Sequence, residues 1–336
     1  MCHLYENSER HQRRGRFIIV STLEPLQDHH HPADVLAFIK REQDSNTPCA
    51  LLVITDIRGG TLRAKGTLMA VAANGKTAGY ISNGCVDADI ISQAQTALHE
   101  NKTVSLLYGE GSPFKDIKLP CGGSIEISII PNPDPTIINT ATLSLSARKS
   151  VTLQISKGGL YIQNNPLNKK VATFEITYQP KLKLRIVGRG APVRSLASQA
   201  AQSGFEVHIQ SPEPDLEALA DTNNLITFEL LNTPETPPPC QDDKWTALVL
   251  MFHDHEWETE ILKQALSRPA FYIGALGSPQ THSARCETLR ASGVSPENIA
   301  KIHGPIGLIP SMRDANLLAV SALGEIIKTA QIKHRL

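Results

Sequence analysis

The stretch KLKLRIVGRGAPVRSLASQAAQSGFEVHIQ, residues 181–210, constrains this chain more than any other. It reads as an apolar strand (Leu182–Val187), a glycine turn (Gly188–Ala191), a helix and a second apolar strand (Phe205–Ile209). Val193, Leu196, Ala197 and Ala200 recur at helical spacing and give the helix one buried face. Pro192 suits a first helical turn, where its missing N–H would have no partner anyway. The pattern continues with a strand at Trp245–Phe252, a helix holding Ile261–Leu266 and a strand at Phe271–Leu276. Strands alternating with helices predict a parallel, doubly wound α/β sheet over residues 181–336.

The first half predicts a different architecture, an α+β domain over residues 31–140. Ala50–Ile57 is a buried strand, and a helix begins near Pro32. Gly66–Ala72 and Thr77–Ile81 flank Ala73-Asn74-Gly75-Lys76, where Asn-Gly signals a hairpin. Val86, Ile90, Ile91, Ala94 and Leu98 place an amphipathic helix over 86–99, with strands following at Val104–Tyr108 and Ile125–Ile130. Residues 141–180 read as a strand-rich connector, with Lys157-Gly158-Gly159 as a turn. Thr233–Pro239 reads as a proline-rich surface loop, and residues 1–30 as a disordered leader in which His29-His30-His31 form an exposed cluster.

Charge excludes some function classes. Lys+Arg and Asp+Glu both number 33, so the basic excess of a nucleic-acid binder is missing. No segment approaches the ~20 apolar residues of a membrane span. The six cysteines (2, 49, 85, 121, 240 and 286) form no C-x-x-C pair and no zinc spacing. They read as reduced thiols of a cytoplasmic protein.

Several turns could carry chemistry. Gly188-Arg189-Gly190 opens a helix after a strand, where backbone N–H groups and the helix dipole favour phosphate. A dinucleotide fingerprint would place a third glycine at Val193, and Ser211 stands where an acid would hold a ribose. A Rossmann-like fold without an ordinary NAD(P) site is thus as compatible with the turn as a phosphate-bearing ligand. Gly274, Gly277 and Ser278 form a second turn of this kind, which close packing alone would also explain. His253 and Asp254 follow a strand at the carboxyl edge, where doubly wound sheets bind ligands; a hydrogen-bonded loop histidine is the alternative. Arg63 lies in the glycine-containing loop Arg58–Ala70, which reads as an anion site or as a solvated surface loop. Cys85 in SNGCVDADI and Cys121 in LPCGG stand at glycine turns rather than inside elements. A helix N-terminus lends a thiol thiolate character, and Asp87 and Asp89 oppose it. Small apolar fillers are the other reading of these thiols.

In order along the chain, GGTLRAKGTLMAV, SNGCVDADI, LPCGGSIEI, IVGRGAPVRSLA, FHDHEWE, YIGALGS, IHGPIGL and LAVSALGEI resemble the XdhC/CoxI family, over roughly 50–132 and 182–330. Leu62 replaces a usual proline, Asn83 a usual glycine, and Ser211 an acid that often ends the second strand of the Rossmann half. The resemblance implies an accessory chaperone without turnover of its own. It would bind the molybdenum cofactor, as molybdopterin or its cytosine dinucleotide form, and assist exchange of an oxo for a sulfido ligand. The cofactor would then pass to an apo molybdenum hydroxylase of the xanthine dehydrogenase type. It implies a cysteine desulfurase as sulfur source and a homodimer. On this reading Cys85 and Cys121 face the metal–sulfur end. Arg63, Gly122, Gly188, Gly190, Gly277 and Ser278 serve the anionic groups, and His253 and Asp254 orient the cargo. An NAD(P)-dependent oxidoreductase is the alternative.

Overall fold

The structure is a computed structural model. It describes residues 31–61, 63–82, 84, 86–112, 122–156, 159–163, 174–252 and 256–334. Helix α1 (Pro32–Asp44) starts where His31 Nδ1 accepts the Ala33 N–H at 3.1 Å. His31 is therefore a half-buried cap rather than part of an exposed cluster. Strands β1 (Cys49–Arg58), β2 (Leu68–Ala72) and β3 (Thr77–Gly79) are followed by α2 (Asp87–Glu100), β4 (Val104–Gly109) and β5 (Ser124–Pro131). They form an antiparallel sheet in the order β3-β2-β1-β5-β4, with β2 and β3 paired across the expected Asn-Gly turn.

Strand β1 is apolar without alternation because both its faces are covered. Ala50, Leu52 and Ile54 pack with Ile90, Ala94 and Ala97 of α2. Cys49, Leu51 and Val53 pack with Val35, Leu36 and Ile39 of α1. Burial pushes the Cys49 thiol up to about 12, the state of an inert filler.

Helix α3 (Pro135–Ser146) comes next, capped by Asp134, which accepts the Thr136 N–H at 2.8 Å. The Thr/Ser-rich sequence hides this helix, so residues 141–146, expected in a strand-rich stretch, complete it. Ile138, Ala141 and Leu145 give its buried stripe. Strands β6 (Val151–Ser156), β7 (Gly159–Ile162) and β8 (Phe174–Tyr178) form a small antiparallel sheet, β7-β6-β8. Its apolar residues share a core with α1, β1 and α3.

The second half runs β9 (Lys183–Gly188), α4 (Gly190–Gln202), β10 (Glu206–Ser211), a 3-10 turn (Pro214–Glu217), α5 (Ala218–Thr222), β11 (Ile226–Leu230), β12 (Thr246–Met251), α6 (Glu258–Leu266), β13 (Tyr272–Ala275), α7 (Pro279–Ala291), α8 (Pro296–Ile299), β14 (Ile302–His303) and α9 (Ala315–His334). All its strands are parallel, in the order β11-β10-β9-β12-β13-β14. This is the doubly wound order whose direction reverses between β9 and β12, as the sequence predicted. Leu184 and Ile186 of β9 face a core built with α4 and α9, and Val187 faces one built with α6 and α7.

Between β11 and β12, residues 231–245 hold no helix and carry the proline-rich segment. Asp242 pins this connection to Arg185, buried on β9, at 2.5 Å, and Arg185 also donates to Gln210 at 3.0 Å. A buried charge needs such partners, because desolvating it alone costs several kcal/mol, roughly.

Candidate functional site

Strand registers bring two loops, β1–β2 and β4–β5, to one end of the first sheet. Arg58 pairs with Ser124, and Ser124 with Gly109, so β1 ends where β5 begins and β4 ends. Gly60 bridges to Gly122 just beyond. The approach is backbone to backbone: a Cβ on Gly123 would stand 2.6 Å from the carbonyl oxygens of Arg58 and Gly60. Only glycine fits there. The RGG and CGG segments, far apart in sequence, thus interlock.

The same loop then reaches the third segment. Arg63 stacks over the Tyr80 ring at 4.3 Å and donates from Nη1 to the Tyr80 hydroxyl at 3.3 Å. Its Nε is buried without a partner among the described residues. Tyr80 leads directly into the loop around Cys85. Asp87, first residue of α2, accepts from the N–H groups of Ser82 and Gly84, each at 2.8 Å, from Ile81 N–H at 3.3 Å and from Ser82 Oγ at 3.0 Å. Ser82 Oγ in turn accepts the Val86 N–H at 2.9 Å. From sequence, Asp87 carried only an electrostatic influence; its carboxylate organises the loop. Asp89 accepts from the Tyr108 hydroxyl at 2.6 Å, and burial together with that bond holds the phenol well above its ordinary range.

Cys85, Cys121, His253 and Asp254 lie outside the described residues, as do Lys157 and Gly158 of the expected turn and the leader, residues 1–30. Gly84 and Gly122, next to the two cysteines in sequence, have φ of 103° and 69°, and among the described residues no heavy atom lies within 4 Å of a Cβ built on either.

At the carboxyl edge of the parallel sheet, Gly188 and Gly190 have different tasks. A Cβ on Gly188 would meet the Met251 carbonyl oxygen at 2.5 Å, so glycine lets β9 lie against β12. Gly190 N–H, expected to bind phosphate, donates to Glu213 Oε2 at 2.8 Å. A carboxylate already occupies that helix start and would repel an incoming anion. Its sequence signal was an acid two residues past Ser211, slightly later than the usual position. At the second turn Ser278 caps α7, its Oγ accepting the Thr281 N–H at 3.1 Å, and Gly277 precedes it at φ 144°. Phe252 closes the edge between Trp257, stacked at 5.8 Å, and the Arg189 guanidinium, 5.5 Å above its ring.

Two carboxylates whose tertiary contacts sequence reading missed fix segments near this edge. Glu258 and Arg285 are buried and bidentate, with both contacts at 2.9 Å, and Arg285 donates to the Leu276 carbonyl at 2.7 Å. Glu325, in LAVSALGEI, accepts the Gly307 N–H and contacts His303 Nδ1 at 2.9 Å; Ser321 accepts the Ile309 N–H at 2.8 Å. Helix α9 therefore holds the IHGPIGL segment in shape. Among the described residues no group of His, Cys, Asp and Glu is arranged to hold a metal ion, and no helix is long and apolar enough to cross a membrane.

Comparison with known proteins agrees with this architecture. Residues 43–109 match the model of the XdhC and CoxI family, and residues 184–326 that of the XdhC Rossmann domain. The molybdenum cofactor insertion chaperone PaoD of Escherichia coli is 31% identical over 305 residues, covering 90% of this chain and 89% of PaoD. A probable xanthine dehydrogenase component of Bacillus subtilis is 24% identical, covering 83% of this chain and 92% of that protein. A solved structure described as a xanthine dehydrogenase from Bacillus halodurans superposes with a TM-score of 0.71 at 20% identity, covering 89% of this chain and 96% of that one, and shares the fold. With both matched segments in order and a relative alike along nearly its whole length, the chain belongs to the XdhC and CoxI family.

Proposed function

We propose that this chain is a molybdenum cofactor chaperone that assists sulfuration of its cargo and inserts it into a molybdenum hydroxylase of the xanthine dehydrogenase or aldehyde oxidase type. The likeness to a molybdenum cofactor insertion chaperone along nearly the entire chain carries the reading. The site geometry supports it. The cargo is large, polyanionic and rich in sulfur, so it needs a cation, accessible backbone and soft ligands in one place. Arg63 offers a buried Nε without a partner among the described residues, and beside Cys85 and Cys121 the Cβ sides of Gly84 and Gly122 are uncrowded, although the Gly84 N–H is held by Asp87. In this reading the two thiols serve the metal–sulfur end, and Arg63 with Gly122 serves the anionic groups. His253 and Asp254, with the turn at Gly277 and Ser278, position the rest of the cargo; Gly188 shapes the strand edge, and Gly190, its N–H taken by Glu213, takes no anionic group. A cysteine desulfurase would supply the sulfur, and a homodimer would be the working form. Cargo binding and hand-over need no turnover by the chaperone itself.

The test is anaerobic purification followed by metal and pterin analysis, with sulfurated hydroxylase activity measured in cells carrying Cys85→Ala, Cys121→Ala or both. Co-purifying molybdenum and pterin, and loss of activity in the variants, are expected. Equal hydroxylase activity with wild type and the double variant would reject the thiol roles.

A nicotinamide-dependent oxidoreductase is favoured only by the strand order. Glu213 on Gly190 N–H speaks against a pyrophosphate at that turn. Tight binding in a titration with NADH or NADPH would revive it.

A further inference from the structure

We propose that Arg148 is the latch of a hinge between residues 31–178 and residues 182–334. Among the described residues, each of the buried apolar clusters lies wholly within one half: two draw on residues 33–178 and two on residues 182–330. No apolar core joins them. One chain crossing, Gln179-Pro180-Lys181-Leu182, links them covalently. An interface without a hydrophobic core leaves relative motion as the default.

The hydrogen bonds and ion pairs that cross among the described residues centre on Arg148. Its Nη1 donates to Glu206 and to the Lys181 carbonyl, at 2.8 and 2.7 Å, and its Nε and Nη2 grip both oxygens of Asp243, at 2.8 and 3.1 Å. Lys181 pairs with Asp34 at 2.7 Å, and Gln179 donates to the His334 carbonyl at 3.1 Å. The backbone supports a dedicated role for this side chain. Arg148 follows the end of α3 with φ 61°, a left-handed position that glycine fills most readily. An arginine there costs local helix-end stability, which its clamp across the halves offsets.

The latch grips the amino ends of the parallel strands, since Glu206 opens β10 and Asp243 lies just before β12. The ligand-facing turns stand at the opposite ends. With β9 roughly 20 Å long at ~3.3 Å per residue, a rotation of about 10° at the latch moves those turns by roughly 3 Å. Arg148 is thus a positioning residue that sets how the two halves face one another, whatever ligand they hold.

Arg148→Gly is the decisive variant, because glycine suits the backbone and removes only the clamp. Spin labels introduced as unnatural amino acids at exposed His99 and Thr288 report the distance between the halves in the full chain, by double electron–electron resonance. A narrow distribution is expected for wild type, at least twofold broader in Arg148→Gly and partly narrowed again in Arg148→Lys. Glu206→Gln combined with Asp243→Asn should broaden it as Arg148→Gly does. A distribution as narrow as wild type in both the Arg148→Gly protein and the paired acid variant, with circular dichroism unchanged, would overturn the proposal.

Discussion

Replacing Asp87 by alanine should release the loop that carries Cys85 while leaving the core intact. The carboxylate accepts two amide bonds at 2.8 Å, from Ser82 and Gly84, and a weaker one from Ile81. A hydrogen bond to a charged acceptor contributes about 1.5–3 kcal/mol. Ser82 is buried, so its amide has no water to replace the lost partner, whereas Gly84 is exposed and sits at the low end. The local loss is therefore about 3–4.5 kcal/mol. At about 1.4 kcal/mol per decade, the amides of Ser82 and Gly84 should exchange with solvent roughly 100- to 1500-fold faster. Native-state hydrogen exchange read by NMR is the assay, with the buried amide of Leu52 in β1 as internal control. Asp87→Asn keeps an acceptor oxygen and should fall between wild type and alanine. Unchanged exchange at both amides in Asp87→Ala would show that the loop is held by something other than this carboxylate.

Other expectations can be checked as directly. Glu213→Ala frees Gly190 N–H and should raise affinity for inorganic pyrophosphate about tenfold by calorimetry, since one charged competitor is removed; unaltered affinity would deny that Glu213 guards the turn. Arg285→Met alone removes both guanidinium contacts from the buried Glu258 carboxylate and should cost about 3–5 kcal/mol in urea unfolding, whereas Glu258→Leu with Arg285→Met should cost much less. Burial lowers the His31 imidazole to about 4, with Asp34 opposing and the Lys181 and Arg148 cations adding to the effect. Its folded pKa lies below the ordinary 6.5, so its stabilising contribution is complete above pH 6.5 and is lost as pH falls toward 4. His31→Asn caps without titrating and should flatten that part of the stability profile, by about 2–3 kcal/mol at most.

The parallel sheet was legible because each of its strand–helix units announces itself: apolar runs, a glycine turn, a helical stripe at Val193, Leu196 and Ala197. Helix α3 was not, because its apolar residues are spaced among threonines and serines that favour strands when read singly. At the candidate site, sequence pointed to turns but not to the tertiary contacts that fix them. Gly59, Gly60, Gly122 and Gly123 were read as loop glycines open to an anion and not as packing against one another, since their interlock depends on a β1–β5 pairing across roughly sixty residues of separation, a sequence distance that local patterns cannot span. Arg285 and Glu325 act through tertiary partners from other segments, so no local spacing marks them, and Glu213 stands two residues past the position where an acid is expected. Asp87 was visible at the start of α2, yet its charge suggested repulsion of a thiolate rather than acceptance of amides.

Strand β1 carries a consequence for how the first half finds its alignment. From Cys49 to Ile54 every residue is apolar and both faces are covered, so sliding the strand by one position would exchange one greasy face for the other and expose nothing. Polarity, which usually indexes a strand, is silent there. The bulge between Ile54 and Asp56 and the side-chain-free contact at Gly123 are what tell one alignment from the next. Gly123 thus serves as the notch against which the sheet is set, and enlarging it should mis-thread the strand.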